Sequence, residues 1–227
     1  MINMTNKIRI DKEKTAFLII DMQNSYCHPE GSIGRNGYDS SGMTATIPKV
    51  KELLEVSRPN NILDIWTIQN HYPDDQTRPN RLIKPHTHRW AAGPPALKDT
   101  WDAEVVDELK EYIDDKAELV KKHRFSSFLD TRLDTLLRMK GITTLIIAGV
   151  ATTHCVETTV RDAYQRDYDV IVAEEAVGSQ NLEDHKASLR LINKVFGVTL
   201  SNDKISRLMQ GEEVSYDLAV EDLAVKN

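Results

Sequence analysis

The stretch TTLIIAGVATTHC, residues 143–155, decides the fold class. Its first eight residues form a nearly continuous apolar run, which is typical of a central strand that is buried on both faces of a parallel sheet. A turn over Gly149–Cys155 begins at the end of this run, and a helix is predicted over 153–166. A strand, a turn and a helix in this order indicate an α/β protein, in which ligands bind at the carboxyl ends of the strands.

The same alternation of strands and helices continues on both sides of this stretch. We predict a three-layer αβα fold with a six-stranded, mostly parallel sheet. The predicted strands cover 15–21, 62–68, 117–121, 143–150, 168–173 and 198–200. The predicted helices cover 47–56, 101–109, 153–166, 182–195 and 203–208, and one more is capped by Asp130 or Thr131 and ends at Gly141.

Chain length predicts one compact domain with a tail. We place the domain at 1–210 and an acidic C-terminal arm at 211–227, which we expect on the surface or against another subunit. Residues 70–95 hold five prolines and three histidines. A loop of this length inside a compact domain is usually a functional lid or an interface arm.

Composition excludes several classes of protein. There are 29 Lys and Arg against 35 Asp and Glu, a net charge of −6, which disfavours a nucleic-acid binder. The longest apolar runs fall far short of the roughly 18 residues that cross a bilayer. The N-terminus is polar, and the two cysteines form no disulfide framework or zinc spacing. We therefore expect a cytoplasmic protein with free thiols that binds neither nucleic acid nor membrane.

Three segments bring reactive side chains to the ends of predicted strands: Asp21, the pair Lys121 and Lys122, and Cys155. A helix N-terminus and a nearby lysine both favour the thiolate of a cysteine, and a nearby carboxylate accepts its proton. The backbone N–H groups of the turn before Cys155 are suited to bind an oxyanion.

Each of these residues alone also has a structural interpretation. Free cysteines such as Cys155 are commonly small buried residues without a chemical role. Aspartates at strand ends, such as Asp21, often cap the next turn. The two lysines belong to a basic run that is typical of a solvated edge. Their conjunction on one rim of the sheet favours a catalytic site. His154 is predicted to face away from the thiol, because adjacent residues of a helix diverge by about 100°.

Three motifs in order resemble the isochorismatase-like cysteine hydrolases: LIIDMQN (18–24), VKKHRFSSF (120–128) and GVATTHCVETT (149–159). The resemblance spans about residues 14–208. The superfamily includes nicotinamidases, N-carbamoylsarcosine amidohydrolases, biuret hydrolases and ureidoacrylate amidohydrolases. It implies a catalytic triad of Asp21, Lys122 and Cys155. It also implies a cis peptide between Val150 and Ala151, and an oxyanion hole formed by the N–H groups of Ala151 and Cys155.

Within this superfamily the sequence looks closest to the ureidoacrylate amidohydrolases, through Gln69-Asn70 after the second strand, Trp101-Asp102, and the segment that follows Cys155. It departs from them at Phe125, where tyrosine is usual, and at Thr153-His154, where Asn-Val is usual. Both departures touch the expected pocket. We assign substrate contacts to Asn24, Asn70 and Phe125.

We predict no metal and no cofactor. The Asp-x-His pair that holds the metal of nicotinamidases is absent, because the corresponding stretch reads Gln69-Asn70-His71. His71, His86 and His88 offer a possible chelate, but without a confirming carboxylate we favour surface or pocket-lining histidines. Cys27 is given no role.

The resulting hypothesis is a cysteine amidohydrolase that cleaves a C–N bond of a small ureido, carbamoyl or amide compound through a thioester and releases ammonia. One alternative is an amidase for another small amide, such as a nicotinamide-like or maleamate-like compound. Another is a non-catalytic binding or sensor protein with Cys155 as an oxidisable thiol. The resemblance also implies a homo-oligomer, either a dimer or a tetramer.

Overall fold

The computed structural model of the protein describes residues 5–73 and 92–217. Its eight strands are β1 (Thr5–Ile8), β2 (Thr15–Ile20), β3 (Leu63–Gln69), β4 (Glu118–Lys122), β5 (Thr144–Val150), β6 (Asp169–Gly178), β7 (Val198–Leu200) and β8 (Val214–Asp217). Its α-helices are α1 (Asn24–Cys27), α2 (Ser32–Arg35), α3 (Ser41–Thr44), α4 (Ile47–Ser57), α5 (Leu133–Met139), α6 (Glu157–Tyr164), α7 (Leu182–Leu191) and α8 (Asn202–Met209).

Six strands form the central sheet, in the order β4-β3-β2-β5-β6-β7, and every neighbouring pair is parallel. This confirms the predicted α/β fold. The sheet separates two hydrophobic cores, as alternation along β2 shows: Phe17 and Ile19 pack into one core, whereas Leu18 and Ile20 pack into the other. Burial on both faces explains why β2 reads as a continuous apolar run.

A second, two-stranded sheet pairs β1 with β8 in antiparallel fashion, so that Ile8 lies opposite Val214. The sequence pattern predicted neither strand. The first part of the acidic segment 211–227 is thus paired within its own chain, and Val214 packs into one of the cores. Residues 218–227 lie outside the described residues.

Three predicted helices differ in form from the prediction. The segment predicted over 182–195 is α-helical over Leu182–Leu191 and ends in a π-helical turn, Ile192–Phe196. The segment predicted as one helix over 101–109 consists of two 3₁₀ helices, Trp101–Ala103 and Asp107–Tyr112. The segment after β5 begins with a wide π-helical turn, Thr152–Val156, before it continues as α6. This wider turn carries Cys155.

No helix in the two described ranges is long and apolar enough to cross a membrane.

Candidate active site

Four adjacent strands deliver polar side chains to one end of the sheet. Asp21 follows β2, Gln69 ends β3, Lys122 ends β4, and Cys155 follows β5. The strand order β4-β3-β2-β5 makes these four ends neighbours. Because all of these strands are parallel, their carboxyl ends meet at one edge, as the sequence pattern predicted for three of the four residues.

Backbone geometry around Asp21 places its carboxylate. Asp21 has a left-handed φ of 51°, which aspartate tolerates better than most residues. Its backbone N–H donates to the carbonyl of Thr67 at 3.0 Å, and the Thr67 hydroxyl donates to its Oδ1 at 3.2 Å. The strand end and the neighbouring β3 therefore fix this carboxylate.

Asp21 and Lys122 form an ion pair that is entirely buried. Nζ of Lys122 lies 2.6 Å from Oδ2 of Asp21, and both side chains are 0% exposed. The ammonium also donates to the carbonyls of Arg124 at 3.0 Å and Phe125 at 3.2 Å. A buried charge is tolerated only when it is paired and hydrogen-bonded, and these contacts meet that requirement. Lys121, the other candidate from the sequence, is exposed.

Cys155 completes the group. Its thiol lies close enough to Asp21 and Lys122 for both to influence its pKa, and Nε2 of Gln69 donates to Sγ at 3.5 Å. The structure therefore brings together Asp21, Lys122 and Cys155, which the family resemblance named as a triad.

Protonation in this cluster is governed mainly by burial. Burial raises the pKa of the Asp21 carboxyl, and Lys122 opposes the rise. Burial lowers the pKa of Lys122, but its pairing with Asp21 opposes this effect, and the pKa is raised above its ordinary value. Burial raises the pKa of the Cys155 thiol to about 12, despite the nearby ammonium. Loss of hydration therefore opposes the helix N-terminus and the lysine, both of which favour the thiolate.

The turn before Cys155 has the backbone geometry that the resemblance implied. The peptide bond between Val150 and Ala151 is cis, and Gly149 has a φ of +111°. A Cβ at Gly149 would lie 2.0 Å from the carbonyl oxygen of Ile20, so only glycine lets β5 approach β2 this closely here. The carbonyl of Ala151 accepts from the N–H groups of His154 and Val156, which holds the turn closed. The assignment of the Ala151 and Cys155 N–H groups to an oxyanion hole stays a prediction.

The three predicted substrate contacts lie in different surroundings. Asn24 is buried, and its amide donates to the carbonyl of Trp101 at 2.9 Å, which is a contact within the protein. Asn70 is also buried, and its backbone N–H donates to the carbonyl of Lys122 at 3.1 Å. Phe125 is 47% exposed, and its ring meets the His154 ring edge-on at 5.3 Å. All three assignments stay predictions, and the geometry gives Asn24 the least support.

The histidines of the 70–95 segment can be described only at His71. It is buried, and its backbone is hydrogen-bonded to Ala96 and Lys98. His86 and His88 lie outside the described residues. Among the residues that the structure does describe, no three His, Cys, Asp or Glu side chains are grouped closely enough to hold a metal ion.

Two glutamines at this edge were not predicted to act in the site. Gln69 contacts the sulfur, and Gln23 clamps the backbone of Gln69: its Oε1 accepts from the Gln69 N–H at 2.8 Å and its Nε2 donates to the Gln69 carbonyl at 2.9 Å. The sequence does contain a signal for Gln69, because this residue directly follows the predicted strand 62–68 and so lies at the edge where ligands bind.

Comparison with known proteins adds a family model and named relatives. The isochorismatase domain model matches residues 15–204. The ureidoacrylate amidohydrolase RutB of Agrobacterium fabrum is 31% identical and covers 92% of this chain and 96% of its own length. An Arabidopsis thaliana protein named as a probable inactive nicotinamidase is 36% identical over 77% of this chain and 86% of its own. The crystal structure of N-carbamoylsarcosine amidase from Thermoplasma acidophilum is similar with a TM-score of 0.69, 26% identity, and coverage of 84% of this chain and 97% of that one.

Proposed function

Because the chain belongs to the isochorismatase family, we propose that it is a cysteine amidohydrolase acting on a small amide or ureide, with ureides the first choice. The observation that carries this proposal is the complete buried group of Asp21, Lys122 and Cys155. The names of relatives alone do not decide the matter, since one of them is described as inactive.

Acylation begins when the Cys155 thiol gives its proton to Asp21 while sulfur attacks the carbonyl carbon of the substrate. The C–S bond forms, and the carbonyl electron pair moves onto oxygen, which the N–H groups of Ala151 and Cys155 would bind. When the carbonyl reforms, the C–N bond breaks, the proton on Asp21 goes to the departing nitrogen, and ammonia leaves. Lys122 stays protonated and balances the charge throughout.

Deacylation uses the same groups. Water gives a proton to Asp21 and attacks the thioester carbon, the C–S bond breaks, and the proton returns to sulfur. The sum is amide plus water giving acid plus ammonia, and the protein ends in its starting state.

The alternative of a thiol-based sensor is less well supported. Oxidation of cysteine follows thiolate character and exposure. Cys155 is only 5% exposed, and its pKa is raised to about 12, so little thiolate is present near neutral pH. These are properties of a thiol that reacts only after a base has taken its proton.

The test is ammonia release from ureidoacrylate, N-carbamoylsarcosine, biuret, nicotinamide and maleamate, followed by intact-mass detection of an acyl adduct. Cys155→Ala should lower turnover at least about 10³-fold and remove the adduct. Cys27→Ala is the matched control, because Cys27 is a fully buried free thiol outside the site, and it should retain activity. Full activity in Cys155→Ala would overturn the proposal, and so would no release from any compound.

A further inference from the structure

Gln69 has an unusual combination of contacts. One N–H of its side-chain amide is directed at Sγ of Cys155 at 3.5 Å, and Nε2 also lies 3.1 Å from the carbonyl oxygen of Arg124. Its Oε1 is buried, and no residue in the described part of the chain donates to it. A buried acceptor without a partner is rare and requires an explanation.

Rotation of the amide by half a turn does not remove this feature. It would place Oε1 against the carbonyl oxygen of Arg124, and two acceptors cannot share a hydrogen bond. That carbonyl already accepts from Lys122 at 3.0 Å, so its position is fixed as well. The observed orientation, with Nε2 toward the sulfur, is therefore the one that the surroundings select.

The backbone that carries Gln69 is held from two sides. Gln23 makes two hydrogen bonds to the Gln69 backbone, at 2.8 and 2.9 Å, and a third to the carbonyl of Ala103 at 2.7 Å. On the other side, β3 pairs with β4 so that Gln69 lies opposite Lys122. A side chain on such a rigid support is preorganised toward the sulfur.

The unpartnered oxygen is within reach of the reacting atoms. The O and N atoms of an amide are about 2.3 Å apart, because they share one carbon at bond lengths of about 1.23 and 1.33 Å. With Nε2 at 3.5 Å from Sγ, Oε1 lies no more than about 6 Å from the sulfur. A substrate that is bonded to Sγ through its carbonyl carbon holds its scissile nitrogen in the same region.

We propose that Gln69 is a further catalytic residue: its Nε2 donates a hydrogen bond to the Cys155 thiolate as it forms, and its Oε1 accepts one from the N–H of the scissile amide or ureide. This proposal rests on the proposed function and adds a reason for its substrate class. An ester has no N–H at the scissile position and would leave Oε1 unpaired, so Gln69 selects amides over esters. No proton or other atom passes to Gln69.

The two roles are separated by two substitutions. Gln69→Met has a similar length and removes both the donor and the acceptor. Gln69→Glu keeps an acceptor and removes the donor. Gln165→Met is the matched control, since Gln165 is exposed and its amide contacts only its own helix.

The first readout is hydrolysis of whichever panel amide is turned over and of its counterpart with –OCH₃ in place of the scissile –NH₂. In Gln69→Met, kcat/KM for the amide should fall about 10- to 100-fold and the amide-to-ester ratio about tenfold, as expected for a lost hydrogen bond to a charged or buried partner. In Gln69→Glu that ratio should stay within about threefold of wild type. An unchanged ratio in folded Gln69→Met overturns the substrate role.

The second readout needs no substrate. It is the rate at which iodoacetamide alkylates Cys155 at pH 9, followed by peptide mass. This rate should fall about tenfold in Gln69→Met and at least as much in Gln69→Glu, where a negative charge faces the sulfur. An unchanged rate overturns the thiolate role. If wild type hydrolyses no compound but the alkylation rates differ, the proposed function fails while the contact between Gln69 and the thiolate stands.

Discussion

Lys122→Met tests whether the buried ion pair is as important to the fold as its surroundings indicate. The substitution removes the ammonium that lies 2.6 Å from Asp21, in a region where both side chains are 0% exposed. Breaking a buried pair by removing one partner costs about 3–5 kcal/mol, because the other charge stays buried without compensation. We therefore expect the free energy of unfolding at pH 7 to fall by about 3–5 kcal/mol.

The loss of stability should arise from the interaction between Lys122 and Asp21, and not from Lys122 alone. In Asp21→Asn the ammonium keeps two carbonyl acceptors, those of Arg124 and Phe125, so this variant should lose less stability. The double variant Asp21→Asn, Lys122→Met contains no buried charge from this pair. Its loss should be smaller than the sum of the single losses by about 1–3 kcal/mol.

The loss should also depend on pH with a definite sign. Burial already raises the pKa of Asp21, and removing Lys122 takes away the largest influence that opposes this rise, leaving the hydrogen bond from Thr67. A folded-state pKa above the unfolded value means that the folded chain binds the proton more tightly, so stability is regained as the pH falls. The deficit of Lys122→Met should therefore be smaller at pH 5 than at pH 7.

The assay is urea denaturation followed by circular dichroism, with all variants at both pH values. Lys140→Met is the matched control, because Lys140 is exposed and forms an ion pair with the half-buried Glu118 at 3.5 Å, and its loss should change stability by less than about 1 kcal/mol. A Lys122→Met variant within about 1 kcal/mol of wild type, or one whose deficit is equal at pH 5 and 7, would refute the reasoning.

Three further predictions concern the surroundings of the site. Gly149→Ala should lower the free energy of unfolding by about 2–5 kcal/mol in urea denaturation. The reason is that φ at this position is +111° and the new Cβ would lie 2.0 Å from the Ile20 carbonyl oxygen. An unchanged midpoint of the urea transition would contradict this prediction. Asp102→Asn should cost about 1–3 kcal/mol in the same assay, since the buried carboxylate accepts two backbone N–H groups at 2.8 Å; a neutral effect would show that the amide replaces these contacts. Burial holds the pKa of His185 below its ordinary value of 6.5, so the unfolded chain binds the proton more tightly and stability should fall as the pH drops below about 6.5. Thermal unfolding at pH 5 and 7 should show a weaker pH dependence in His185→Gln than in wild type.

Much of the central sheet was predictable because its strands are buried on both faces. The predicted strand 143–150 matches Thr144–Val150, and the predicted 198–200 matches Val198–Leu200. The strand predicted at 168–173 is longer, Asp169–Gly178, because two exposed glutamates interrupt its apolar run before Ala176 and Val177 are buried again. A register shift between Ile147 and Gly149 accompanies this irregularity. Periodicity alone does not predict a strand that continues past its apolar run.

The small sheet had no comparable signal. Thr5–Ile8 and Val214–Asp217 are short and largely polar, and they pair across almost the whole length of the chain. Pairing between such distant segments depends on where the rest of the fold brings the chain termini. Local sequence patterns contain no information about that placement.

Within the site, the sequence predicted which residues meet but not their protonation. The rule that ligands bind at strand ends was sufficient to select Asp21 and Cys155. Helix-terminus and lysine effects favour the thiolate, whereas the structure buries Cys155 to 5% exposure, and this burial raises its pKa to about 12. Burial arises from all the segments packed around a group, so residue types in one segment do not reveal its extent.

This protonation state determines what kind of nucleophile Cys155 can be. A resting thiolate beside Asp21 would place two buried negative charges against one ammonium, which is costly. A neutral thiol leaves the Asp21–Lys122 pair balanced, and in the proposed reaction the proton would then move to Asp21 as the C–S bond forms. The raised pKa of Asp21 favours this transfer, because it makes the carboxylate a stronger base. Hydrolysis by this site should accordingly depend on Asp21 as strictly as on Cys155, and Asp21→Asn should abolish acyl-adduct formation even though the thiol remains in place.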